Sequence, residues 1–151
     1  MRLIHPNGCY FALTIEGYQF PELENEEYDL NWLNIAIDVR RPRGHWKAVD
    51  PALLTNEAAS LAQWFNDLAT GRREERDQEF MEPCLSFHVP NDPERDEELV
   101  VEFSHEFRPP WASDNLDEPH ILVFSMHELD LRAASASLRE QLSRYPQRTN
   151  V

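Results

Sequence analysis

The stretch Leu33-Asn34-Ile35-Ala36-Ile37-Asp38-Val39 indicates the fold class, because large aliphatic residues occupy every second position. Side chains alternate between the two faces of a β-strand, so the aliphatic residues are expected on one face, with Asn34 and Asp38 on the other. The same alternation occurs earlier, where Phe11, Leu13 and Ile15 would share one face of another strand. The fold therefore begins with a sheet that buries one of its faces.

The residues that follow predict a hairpin and then a helix. The turn Arg41-Pro42-Arg43-Gly44 leads to a short strand at residues 45–49, since proline fixes φ and glycine tolerates positive φ. Asp50-Pro51 is typical of a further turn, and Thr55 is placed to act as the N-cap of a helix that stops at Gly71. Apolar residues recur in this segment at helical spacing, namely at Ala58, Leu61, Phe65 and Leu68.

The second half of the chain predicts three more strands and a second helix. Alternation favours strands at residues 85–89 and 99–107, and the apolar run at residues 121–126 is typical of a strand in the centre of a sheet. Asp130 is expected to cap a final helix, which Pro146 ends. Residues 1–151 thus predict a single α+β domain, with a mostly antiparallel sheet of about six strands and two amphipathic helices in the order β-β-β-α-β-β-β-α.

Composition and charge favour a soluble protein with a basic partner. The 151 residues are 41% hydrophobic, which suffices for one core without disulfides. Twenty-eight acidic residues against 14 lysines and arginines give a formal net charge of −14, which repels nucleic acid and anionic membranes. No apolar run approaches the roughly 18 residues of a membrane span. Cys9 and Cys84 lie in apolar runs, which indicates buried, reduced thiols in a cytoplasmic protein.

The acidic residues are grouped in blocks, and this grouping allows two interpretations. Solvated loops that serve solubility are the simpler one, and a docking surface for a basic protein is the alternative. Trp111 stands in a proline-rich loop where core packing is not expected, so it is a candidate anchor for a partner. The predicted partner-binding residues are Glu22, Glu24, Glu26, Glu27, Asp29, Trp111, Asp114, Asp117 and Glu118.

Motifs for catalysis, cofactor binding or metal binding are not found in the sequence. The chain has neither a GxSxG nor an HExxH pattern, and its four glycines do not form a phosphate-binding loop. We therefore expect no enzyme and no cofactor. One alternative stays open, since His88, His105 and His120 fall in predicted strands and could meet across a sheet in a small metal-binding protein or enzyme.

A family resemblance is carried by one group of residues in the first part of the chain. They are Tyr18-Gln19-Phe20-Pro21, Tyr28-Asp29-x-Asn31-Trp32-Leu33, Trp46 and Asp50-Pro51-x-Leu53-Leu54-Thr55. This set resembles the wall-associated-protein (WapI-type) immunity family of bacteria. The resemblance implies a small cytosolic protein, encoded beside a secreted polymorphic toxin, that binds the toxin's C-terminal effector domain. Some effector domains of this kind cleave transfer RNA.

The same residues also have a purely structural interpretation. Aromatic side chains bury large areas and close the ends of sheets, and Asp29 and Asn31 could satisfy backbone groups in the turn before a strand. A third class of function is an interaction module that associates with itself through a sheet edge, with an oligomeric state that the sequence leaves open.

Overall fold

The computed structural model describes residues 1–24, 29–115 and 117–149, and it confirms the predicted α+β class. The described residues form two four-stranded antiparallel sheets and two helices. The first sheet contains β1 (Arg2–Ile4), β2 (Tyr10–Tyr18), β3 (Trp32–Arg41) and β4 (Gly44–Leu54), in that order. The second contains β5 (Asp77–Gln78), β6 (Leu85–His88), β7 (Glu98–Phe103) and β8 (His120–Ser125). The helices are α1 (Thr55–Ala69) and α2 (Leu131–Arg144).

The eight strands exceed the six expected because two of them are very short. β1 has three residues and β5 has two, which is too few for an alternating pattern to appear in the sequence. Conversely, the long strand predicted at residues 99–107 ends at Phe103. A 3₁₀ turn follows it at His105–Phe107, where His105 has a positive φ of 49°.

Two expectations about the end of the first sheet are wrong. Asp50-Pro51 is not a turn, because β4 runs on to Leu54 with a bulge opposite the Leu33/Asn34 step. An edge strand tolerates proline at such an irregularity, since no neighbouring strand needs its missing N–H. Thr55 is not an N-cap either: it is the first helical residue, and Glu57 caps by accepting the backbone N–H of Leu54 at 2.9 Å.

The strand predicted for the centre of a sheet lies at an edge instead. β8 pairs with β7 on one side only, and its Ile121 remains 36% exposed. Arg41 of β3 donates a hydrogen bond to the Ile121 carbonyl at 3.4 Å. The apolar character of β8 on both faces therefore did not indicate a central position.

The core lies between the inner faces of the two sheets, with α1 closing one side. Phe11 of β2 contacts the rings of Phe87 and Phe103 from the second sheet, each at 5.7 Å between centroids. Phe65 of α1 meets Phe87 at 5.6 Å, edge to face. α1 packs against α2, where Ser135 donates a hydrogen bond to the Ala62 carbonyl at 2.6 Å.

α2 also covers the part of β2 that β1 does not reach. The Gln141 side chain accepts the Ile15 N–H at 2.7 Å and donates to the Leu13 carbonyl at 3.3 Å. It thus takes the place of a neighbouring strand at an edge that would otherwise expose its backbone groups. Within the described residues, no helix is long and apolar enough to cross a bilayer.

Candidate partner-binding surface

The connection between β2 and β3 carries the first group of predicted contacts, and we call residues 20–30 the first acidic loop. Glu22 and Glu24 are exposed there, and Asp29 is half-buried. Glu26 and Glu27 lie outside the described residues. At the C-terminal end of the loop, Leu30 turns into the protein and is only 3% exposed, which ties the loop to the body of the domain.

Residues of the family-like segment hold the base of this loop. Gln19 N–H donates to the Trp32 carbonyl at 2.8 Å, and the Asn31 carbonyl accepts the N–H of Thr55 at 3.0 Å. Tyr18 meets Tyr145 edge to face at 5.7 Å, which places the chain segment after α2 beside the loop. The structural interpretation of the segment therefore accounts for several of its residues.

The connection between the 3₁₀ turn and β8 carries the second group, and we call residues 108–119 the second acidic loop. Asp114, Asp117 and Glu118 are exposed on it, and Ser113 donates to the Glu118 carboxylate at 3.3 Å. Leu116 lies outside the described residues. Trp111 is 48% exposed, yet it packs edge to face on the buried Trp46 ring at 5.6 Å. Trp111 is thus both an exposed aromatic surface and a cover for the hairpin below it.

The first sheet separates the two acidic loops. The first acidic loop follows β2 and precedes Trp32, at one end of β3, whereas Trp111 packs over Gly44 just beyond Arg41, at the other end. β3 has ten residues, which corresponds to about 30 Å at the rise of a strand. The predicted contacts therefore form two acidic surfaces rather than one continuous patch.

The described carboxylates of the two acidic loops take no part in ion pairs. In the described ranges, none of the loop carboxylates forms an ion pair. The basic groups that do form ion pairs are used elsewhere, for example Lys47 with Asp38 and Arg95 with Glu98. The described carboxylates of both acidic loops therefore have no ion-pair partner within the protein.

A third acidic group forms around Asp50, and the sequence did not predict it. Burial, followed by the nearby carboxylates of Glu106 and Glu82, raises the pKa of Asp50. The neighbouring Cys84 is buried, and burial together with these acids raises the pKa of its thiol to about 12. These residues come from separate segments of the chain, so only the folded structure brings them together.

The structure does not bring together the three histidines of the alternative metal site. His120 pairs with Phe103, and Phe103 pairs with Leu85, so His120 lies on the core face of the second sheet. His88 stands three residues beyond Leu85 and hence on the opposite face. His105 lies in the 3₁₀ turn. Across the described part of the chain, no group of three or more His, Cys, Asp or Glu side chains could hold a metal ion.

The packing of Trp111 on the hairpin gives a first testable prediction. A Cβ atom on Gly44 would lie 2.3 Å from Cη2 of Trp111, so Gly44→Ala must push the exposed indole off Trp46. We expect a loss of about 0.5–1.5 kcal/mol in the free energy of unfolding, which is the size of one aromatic pair. A double-mutant cycle with Trp111→Ala, measured by chemical denaturation, checks this. The Gly44 substitution should have almost no effect once Trp111 is absent; additive losses would show that Gly44 acts elsewhere.

Comparison with known proteins agrees with the resemblance noted in the sequence. The immunity protein WapI-like family matches residues 2–146, which is nearly the whole chain. No curated protein and no solved structure matches the chain. The match covers both sheets, both helices and both acidic loops, so the chain belongs to the WapI-like immunity protein family.

Proposed function

We propose that this protein neutralises a cognate toxin in the cytoplasm by binding a basic surface of the toxin's effector domain and covering it. The proposal assigns the protein no catalytic step and no cofactor. Membership in an immunity protein family supports a toxin as the partner. The formal net charge of −14 supports a partner of opposite charge.

The observation that carries this proposal is that the described carboxylates of the two acidic loops form no ion pair within the protein. Carboxylates without an internal partner remain available to lysine and arginine side chains of another protein, and their field steers such a protein during encounter. A nuclease domain fits this chemistry, because a surface that binds RNA phosphates must be basic. The immunity protein would compete with RNA for that surface.

The separation of the loops assigns them different roles. A standard interface buries roughly 800 Å² on each partner and is therefore about 30 Å wide. The two loops lie at opposite ends of β3, so a single interface of this size could include both only at its outer edge. We place the principal contact on the first acidic loop, at Glu22, Glu24 and Asp29, with Glu26 and Glu27 in the same segment. Backbone hydrogen bonds hold the base of this loop. The second acidic loop, with Trp111, Asp114, Asp117 and Glu118, is proposed as a secondary contact.

Co-expression tests the proposal directly. The effector domain encoded beside the gene for this protein is expressed in bacteria with and without the protein, and growth is followed. We expect growth arrest by the effector domain alone and restored growth with the protein. Continued arrest at equal expression of both proteins would contradict the proposal.

A further inference from the structure

We propose that Arg148 is a positioning residue of the toxin-binding surface, and that it holds residues 20–24 and 29–30 of the first acidic loop in the arrangement that binds the partner. This inference rests on the proposed function and adds to it a residue outside the acidic loops. Arg148 lies in the segment after α2, two residues beyond the part of the chain that matches the family.

The guanidinium of Arg148 donates hydrogen bonds to backbone carbonyls at both ends of the first acidic loop. Nη2 donates to the Phe20 carbonyl at 3.0 Å, and Nη1 donates to those of Pro21 and Leu23, both at 3.2 Å. Nε donates to the Leu30 carbonyl at 2.8 Å, and Nη2 donates to this same oxygen. One side chain thus joins the beginning of the loop to its end.

The residues around Arg148 fix it in place from two other directions. Its guanidinium carbon lies 4.0 Å from the centroid of the Tyr18 ring, which is a cation–π contact. Its backbone forms a reciprocal pair with Asn31: the Arg148 N–H donates to Asn31 Oδ1 at 2.7 Å, and Asn31 Nδ2 donates to the Arg148 carbonyl at 3.0 Å. Tyr18 also donates from its hydroxyl to the Pro146 carbonyl. We call the contacts of Arg148 with residues 20–30, Tyr18 and Asn31 the clasp. Tyr18 and Asn31, which contact Arg148, belong to the family-like segment.

The chemistry of the clasp requires arginine. The guanidinium is a planar fork with five N–H donors, so it can bind several carbonyls at once, whereas a lysine ammonium has three donors at a single point. The accepting carbonyls of Pro21 and Leu23 flank Glu22, and that of Leu30 follows Asp29. The clasp therefore sets the backbone directly beside the proposed contact residues, and its positive charge offsets repulsion among their carboxylates.

The contacts of this side chain act on the loop rather than on the core. Every hydrogen bond of the guanidinium goes to residues 20–30, in the described ranges. Removing it should leave the two sheets and the two helices intact and free the loop backbone. A loop that must be ordered on binding loses part of the binding free energy to that ordering, so affinity falls.

Arg148→Ala and Arg148→Lys test the clasp, with Arg144→Ala as the matched control. Arg144 is an exposed arginine at the end of α2, and its guanidinium pairs only with Glu140 in the described residues, at 3.1 Å. The Arg144→Ala substitution thus removes the same positive charge as Arg148→Ala but leaves the contacts of the first acidic loop in place. Amide hydrogen exchange of residues 19–24 and 29–31 is measured in the free protein, and affinity for the toxin effector domain is measured by calorimetry.

We expect both Arg148 variants to exchange the loop amides faster by about tenfold or more and to bind the toxin domain about tenfold more weakly. Arg144→Ala should match the wild type in both measurements, and the core amides should stay protected in all variants. Unchanged loop exchange in Arg148→Ala would refute the clasp without any toxin present. Faster exchange with wild-type affinity would refute its role in positioning. Absence of binding by the wild type would instead refute the proposed function, and with it the assignment of Arg148 to a toxin-binding surface.

Discussion

Replacing Phe87 with alanine is expected to lower the free energy of unfolding by about 3–5 kcal/mol. Phe87 is fully buried in β6, and its ring meets those of Phe11, Phe65, Trp64 and Phe80 at centroid distances from 5.6 to 6.3 Å. It therefore joins the first sheet, the second sheet and α1 at one point. The cavity left by alanine could not be filled without moving all three, which is why the loss should be near the upper end for a phenylalanine.

Chemical denaturation of the variant measures this effect, and Phe20→Ala is the matched control. Phe20 is 39% exposed, and its carbonyl rather than its ring takes part in the clasp. The same deletion of a phenyl group should therefore cost about 1 kcal/mol or less at that position. Equal losses in the two variants would show that Phe87 is not the centre of the core.

The second large effect is expected from neutralising the first acidic loop. The triple variant Glu22→Gln, Glu24→Gln and Asp29→Asn removes three carboxylates that have no ion-pair partner in the described residues. We expect its association rate with the toxin effector domain to fall about tenfold or more at low ionic strength, because electrostatic steering depends on these charges. Stability should change little, because Glu22 and Glu24 are exposed and the half-buried Asp29 forms no ion pair in the described residues.

Two further triple variants show whether position or net charge is responsible. Asp114→Asn, Asp117→Asn and Glu118→Gln neutralise the second acidic loop, and Glu74→Gln, Glu79→Gln and Glu94→Gln remove three exposed acids elsewhere. All three variants change the net charge equally. We expect the association rate to fall most in the first-loop variant, less in the second-loop variant and least in the distant control. Equal losses in all three would mean that net charge alone steers the partner and that the first loop has no special role.

Much of the fold could be predicted because alternation is a local property of the sequence. The inward positions Phe11, Leu13 and Ile15 of β2 are buried as expected, and so are the aliphatic residues of β3. The errors arose where tertiary contacts override local preference. Pro51 is typical of a turn, yet an edge strand with a bulge accommodates it, and the carboxylate of Glu57 caps α1 in place of Thr55.

The acidic loops could be located from composition, but their arrangement could not. Nothing local in the sequence relates residue 22 to residue 114, so their separation by the length of β3 follows only from the pairing of the strands. The clasp could not be predicted from the sequence either, because Arg148 is 117 residues from Asn31 along the chain. The sequence did single out two residues that contact Arg148, because Tyr18 and Asn31 lie in the segment that carries the family resemblance.

The family-like segment contains both residues of the first sheet and residues that contact the proposed binding surface. Trp46 is buried, and its indole donates to the Phe107 carbonyl at 3.0 Å, which connects β4 to the 3₁₀ turn. Leu53 is fully buried at the end of the same strand. Tyr18 and Asn31 instead face the first acidic loop and its clasp. The same segment thus builds the sheet and supports the surface proposed to bind the toxin.

Calorimetric titration of the purified protein with the effector domain of the neighbouring toxin tests the central claim most directly. It is performed at low salt and again above the physiological ionic strength of about 0.15 M, where charge interactions are screened within roughly 8 Å. The account predicts a one-to-one complex whose dissociation constant rises with salt, and rises less steeply for the first-loop triple variant. Absence of binding at low salt, or an affinity that does not change with salt, would contradict it.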